Sequence, residues 1–162
     1  VHKRVLRTEL EHQPKEKRIM SETIIVGVDG SETALKAARR AADLSAKLGA
    51  ELVVVTAHAS DNTEVVSIGS DTWILDDAEQ ARKLAERVAR DVRDAQPEAN
   101  VSAAAGHGKP AEVLISEANS RNASMIVVGN VGMRGLGRVL GSVASSVAHS
   151  APCDVLVVKT DK

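Results

Sequence analysis

From residue 23 onward, short apolar runs alternate with longer stretches whose apolar positions recur at helical spacing. Thr23–Val28 is a nearly continuous apolar run, the pattern of a strand buried on both faces. Asp29-Gly30-Ser31 breaks it, and Ser31 is a suitable N-cap for a helix over residues 32–48. In that stretch Leu35, Ala38, Ala42, Ser45 and Leu48 keep i+3 and i+4 spacing, and Gly49 stands where a helix usually ends. Leu-Val-Val-Val within Glu51–Ala57 predicts a second buried strand. Residues 58–71 are polar and rich in turn-forming types, which predicts a loop. Residues 72–95 predict a long helix with Ile74, Ala78, Ala81, Leu84, Ala85, Val88 and Val92 on one stripe. Its other face carries Lys83, Arg87, Arg90 and Arg93 among acids, the pattern of a solvated surface.

The second half repeats the alternation. Val101–Ala105 predicts a third strand, Pro110 starts a helix over residues 111–121, and Met125–Val128 predicts a fourth strand. A glycine-rich segment, a helix near residues 142–150 and a fifth strand, Val155–Lys159, complete the chain. Such an order predicts a Rossmann-like α/β fold: one open, parallel, five-stranded sheet with right-handed crossovers and helices on both faces. Ligands of such sheets lie beyond the carboxyl ends of the strands. The loops after the first and fourth strands are therefore the places to look for chemistry.

Composition narrows the choices. The chain has 162 residues, enough for one domain with a sizeable core. With one Trp and no Tyr or Phe, that core must be aliphatic. Few aromatics leave nothing for bases to stack on, and a net charge of −1 gives no field to attract a phosphate backbone. No nucleic-acid partner is expected. No apolar stretch approaches the roughly 20 residues that cross a bilayer, so no membrane partner is expected either. Residues 1–20 are basic and polar without the apolar centre of a secretory signal, which predicts a cytoplasmic protein. They read as an N-terminal extension, disordered or non-native, ahead of a domain over residues 21–162. Cys153, the single cysteine, reads as a small buried thiol at a strand start.

The glycine-rich segment holds five glycines, Gly129, Gly132, Gly135, Gly137 and Gly141, between a strand and a helix. Glycines allow close backbone approach, and amides at a helix start converge on an anion. Gly141 and Ser142 stand where those amides emerge, and Arg134 and Arg138 can neutralise further charge. Together they predict a phosphate cradle. A Walker A loop is absent, and the G-x-G-x-x-x-G run from Gly135 does not directly follow a strand, which argues against the dinucleotide fingerprint. Asp29 closes the first strand beside Gly27. It suits ribose hydroxyls or a phosphate-bound cation, and equally suits a local turn on the next helix. The five histidines show no metal-ligand spacing, although His58 and His107 each follow a strand and can line the site. No protein metal site is expected.

Val26-Gly27-Val28-Asp29-Gly30-Ser31, Gly108-x-Pro110 with Ala111-Glu112-Val113-Leu114-Ile115, and Gly129-x2-Gly132-x8-Gly141-Ser142 before Ala151-Pro152-Cys153 resemble the universal stress protein family over residues 22–160. The resemblance implies the adenine nucleotide alpha hydrolase-like fold. It also implies a nucleotide site at Gly27, Asp29, the Ala57 backbone (at adenine), Val128, Gly129, Asn130, Gly132, Arg134, Gly141, Ser142, Val143 and Ala144. The ligand implied is ATP, with Mg2+ held through its phosphates, in a stress-tolerance protein that binds rather than turns over nucleotide. A homodimer through the last strand, Val155, Leu156, Val157 and Val158, is implied as well. The family spacing between the second and third glycines is nine, against eight here, which shortens the loop by up to about 3.5 Å. Val128-Gly129-Asn130-Val131-Gly132 also looks like actinobacterial members that bind cyclic AMP. Cyclic AMP or AMP is thus the alternative ligand, and action through protein partners without nucleotide the alternative function.

Overall fold

The computed structural model describes residues 22–59, 63–68, 71–131 and 140–160, and residues 63–68 and 71–76 by their backbone alone. Five strands form one parallel sheet: β1 Thr23–Gly27, β2 Glu51–His58, β5 Asn100–His107, β6 Met125–Gly129 and β7 Asp154–Val158. Their order is β5-β2-β1-β6-β7. The helices are α1 Glu32–Leu48, α2 Asp77–Ala95, α3 Pro110–Ser120 and α4 Ser142–Ser150. Successive crossovers move outward from β1 through β2 to β5, then return to β6 and β7. The direction reverses between β1 and β6, and there the crevice opens.

Two apolar layers hold the sheet. Ile24, Val26, Leu52 and Val54 face Ala37, Ala38, Ala41 and Ala42 of α1 and Ala85, Val88, Ala89 and Val92 of α2. Ile25, Val53, Val55 and Ile126 face Val113, Leu114 and Ala118 of α3 and Ala144 and Val147 of α4. Alternate residues of β1 thus point into different layers, and Ile24, Ile25 and Val26 are all fully buried. Each buried Val, Leu or Ile contributes about 1.5–3 kcal/mol. The alanine faces let the helices lie close on the sheet without aromatic filler.

One expectation is overturned. Within the predicted loop over residues 58–71 and the first turn of the predicted helix over residues 72–95 lie two antiparallel paired strands, β3 Thr63–Ile68 and β4 Asp71–Asp76, and His58 ends β2. Ile74 pairs with Val65 there and does not belong to a helical stripe. The helix begins only at Asp77. Thr-Trp-Ile-Leu reads equally well as strand or helix by its apolar positions, because a short apolar run has no decisive period. Gly69-Ser70 between two alternating runs was the usable signal for a hairpin. The expected N-terminal extension, residues 1–20, lies outside the described residues.

Candidate functional site

The crevice at the switch point is a cavity of about 720 Å3. Gly27, Asp29, Ala57, Val128, Gly129, Gly141, Ser142, Val143 and Ala144 line it, so most of the expected site residues come together. Gly132 and Arg134 lie outside the described residues.

Asp29 leaves β1 at the rim and is exposed. The Ser31 amide donates to Asp29 Oδ1 at 3.0 Å, and the Ser31 hydroxyl donates to the same oxygen. Ser31 Oγ in turn accepts from the Ala34 amide at 3.2 Å, which caps α1. Gly30, at φ +87°, supplies the left-handed backbone that the turn needs. The local-turn reading of Asp29 is therefore realised through Oδ1. Its Oδ2 accepts no hydrogen bond among the described residues, and Asp29 still faces the cavity, so the second role remains open to it.

The floor depends on a close approach. A Cβ at Gly27 would stand 2.7 Å from Leu114 Cδ1, so a side chain there would force the Leu114 side chain to shift.

Opposite Asp29, the glycine loop is fastened at both ends. The Asn130 amide donates to the Val158 carbonyl at 2.8 Å, and its carbonyl accepts from the Gly141 amide at 2.9 Å. Asn130 Oδ1 accepts from the Thr160 amide at 2.8 Å and from the Thr160 hydroxyl at 3.0 Å. Asn130 is thus a clasp and does not line the cavity. Gly141 caps α4 without any side-chain hydrogen bond. Among the described residues nothing accepts from the amides of Ser142, Val143 and Ala144. Uncapped amides at a helix start carry the positive end of the dipole and suit an anion.

The far wall was not foreseen. Asp77, Gln80, Lys83 and Arg87 of α2 line the cavity; Lys83 and Arg87 are exposed, so the charged face is solvated as expected and also borders the cavity. Lys83 Nζ lies 3.5 Å from Glu79, and Arg87 forms no ion pair among the described residues. Their i+3 and i+4 recurrence was visible in the sequence, but nothing there said that α2 overhangs the crevice. Thr56, 5% exposed, also lines the cavity, and its hydroxyl has no partner among the described residues. His58 joins the wall at the end of β2.

Cys153 is half-buried just before β7 and packs against the α3 and α4 layer. Burial pushes its thiol pKa up, and the Asp154 carboxylate pushes it further. The thiol is a packing group at neutral pH.

Sheet order and crevice define an open, doubly wound α/β protein whose cleft sits at the switch point and carries an anion-ready helix start. The chain belongs to the universal stress protein family, whose model matches residues 20–159. A universal stress protein of Mycobacterium tuberculosis is 32% identical over 145 residues, covering 85% of this chain and 96% of that one. Among solved structures, a universal stress protein in complex with cAMP is 30% identical with a TM-score of 0.64, covering 87% of this chain and 98% of that one. Universal stress protein UspA from Lactobacillus plantarum, 23% identical with a TM-score of 0.67, covers 85% of this chain and 97% of that one and speaks for the fold alone. Among the described residues no helix is long and apolar enough to cross a membrane.

Proposed function

We propose that the cleft binds an adenine nucleotide, ATP with Mg2+ held through its phosphates, and that the protein is a nucleotide-responsive factor of stress tolerance. One observation carries this reading: the free amides of Ser142, Val143 and Ala144 and the open oxygen of Asp29 meet on one cavity. The amides suit phosphate, and the carboxylate suits ribose hydroxyls as an acceptor. Cyclic AMP is the second reading. It is favoured by the 30% identity to a universal stress protein in complex with cAMP, and by a loop one residue short of the family spacing. Isothermal titration with ATP, AMP and cyclic AMP separates these readings. If none of the three binds and none raises the melting temperature, the nucleotide reading falls and action through protein partners takes its place.

We further propose binding without useful turnover, in the cytoplasm. Asp29, the carboxylate at the switch point, spends one oxygen on the turn, which supports a holding role over a basic one. Single-turnover phosphate release should be the same for wild type and Asp29→Ala; a clear loss in the variant would indicate an enzyme. We propose a homodimer through β7, which stands at the edge of the sheet with Val155, Leu156, Val157 and Val158 half-buried. An apolar edge gains by pairing, and an inward charge blocks it. Sedimentation should therefore find a dimer for wild type and a monomer for Val157→Lys.

A further inference from the structure

We propose that His58 and His107 form a two-imidazole site for a divalent transition-metal ion, Cu2+ or Zn2+, on the rim of the cleft. The site is independent of which nucleotide the cleft takes. His58 ends β2 and His107 ends β5, and the two are direct register partners on neighbouring parallel strands. The Gly108 amide donates to the His58 carbonyl at 2.9 Å, fixing the backbone beyond both. Their ring centroids lie 5.5 Å apart with the planes at 68°.

That spacing matches chelation. With Zn–N bonds of about 2.0–2.1 Å and a tetrahedral angle, two imidazoles on one ion have ring centres roughly 5 Å apart. The present edge-to-face arrangement needs a turn of the rings about χ2, a broad and soft torsion, and His107 is exposed enough to make it. A metal-bound histidine normally keeps a hydrogen bond on its other nitrogen, so one imidazole nitrogen each is all the site requires. No third His, Cys, Asp or Glu joins them among the described residues. Two imidazoles on one ion leave at least two positions for other donors, water or an atom in the cavity that His58 lines. Two imidazole nitrogens suit Cu2+ and Zn2+, and do not suit Mg2+ or Ca2+, which take oxygen ligands.

The test is calorimetric titration of the untagged chain with Cu2+ and with Zn2+ in a mildly basic buffer, because metal binding takes deprotonated ligands. Wild type should bind one ion per chain, and excess Mg2+ should not compete. His58→Ala and His107→Ala should each weaken binding by at least about tenfold, the lower bound for losing even an outer-shell partner. Without any substitution, Cu2+ should broaden the imidazole NMR signals of His58 and His107 before those of His2, His12 and His149. The proposal is overturned if either variant keeps full affinity, or if broadening begins at any other histidine.

Discussion

Replacing Thr56 by valine should make the protein more stable. The side chain is 5% exposed, and its hydroxyl has no hydrogen-bond partner among the described residues. A buried hydroxyl without a partner costs about 1–3 kcal/mol, and valine removes that cost while keeping the shape. The methyl that takes its place contributes up to about 0.8 kcal/mol more, and β2 tolerates a β-branched residue well. The expected gain is about 1–3 kcal/mol, or roughly 3–10 °C in melting temperature for a chain of this size. Urea unfolding should show a higher midpoint with an unchanged slope. Repeating the measurement with saturating nucleotide asks a second question, because Thr56 lines the cavity. A ligand that uses the hydroxyl would stabilise the variant less than wild type, by RT times the logarithm of the ratio of the two dissociation constants. An unchanged or lower midpoint without ligand would refute the reasoning, since the hydroxyl would then have a partner in solution.

Three further outcomes are expected. Asn130→Ala strips Thr160 of two hydrogen bonds and loosens the fastened ends of the glycine loop. It should cost about 1–3 kcal/mol by urea unfolding and weaken nucleotide binding by calorimetry. Ser31→Ala removes the side-chain cap of α1 and one of the two hydrogen bonds that hold Asp29, the one from the Ser31 amide staying, for a loss of about 0.5–2 kcal/mol read from the same transition. Cys153 has a thiol pKa raised in the folded state, so the native protein holds that proton more tightly than the unfolded chain. Its stability contribution is full below the ordinary thiol pKa of about 8.5 and is lost as pH rises through the raised value. At pH 8 iodoacetamide should alkylate the folded protein more slowly than an unstructured cysteine peptide, and in urea the difference should vanish.

Asp29 shows why residue chemistry alone left two roles open. Its place at the end of an apolar strand and before Ser31 satisfied both a turn and a ligand site. The coordinates let both stand, because a carboxylate has two oxygens and the turn consumes one. Asn130 went the other way. Its neighbours in sequence suggested the cleft, but its Oδ1 is taken by Thr160, a residue whose approach depends on how β7 lies beside β6.

What the chain determined locally was readable in order. Apolar runs too short for helices made β1, β2 and β6, the helical stripe of residues 32–48 and its Ser31 cap made α1, and the alternation made the sheet parallel with its cleft at the carboxyl edge. Those features depend on neighbours a few residues apart. Tertiary structure alone decided which distant groups meet. The overhang of α2 brought Lys83 and Arg87 to the cavity, the register of β2 on β5 set His58 against His107, and the pairing of β3 with β4 replaced a loop. Each depends on how separate elements pack, and side-chain spacing along one segment carries no record of the segment that will lie beside it.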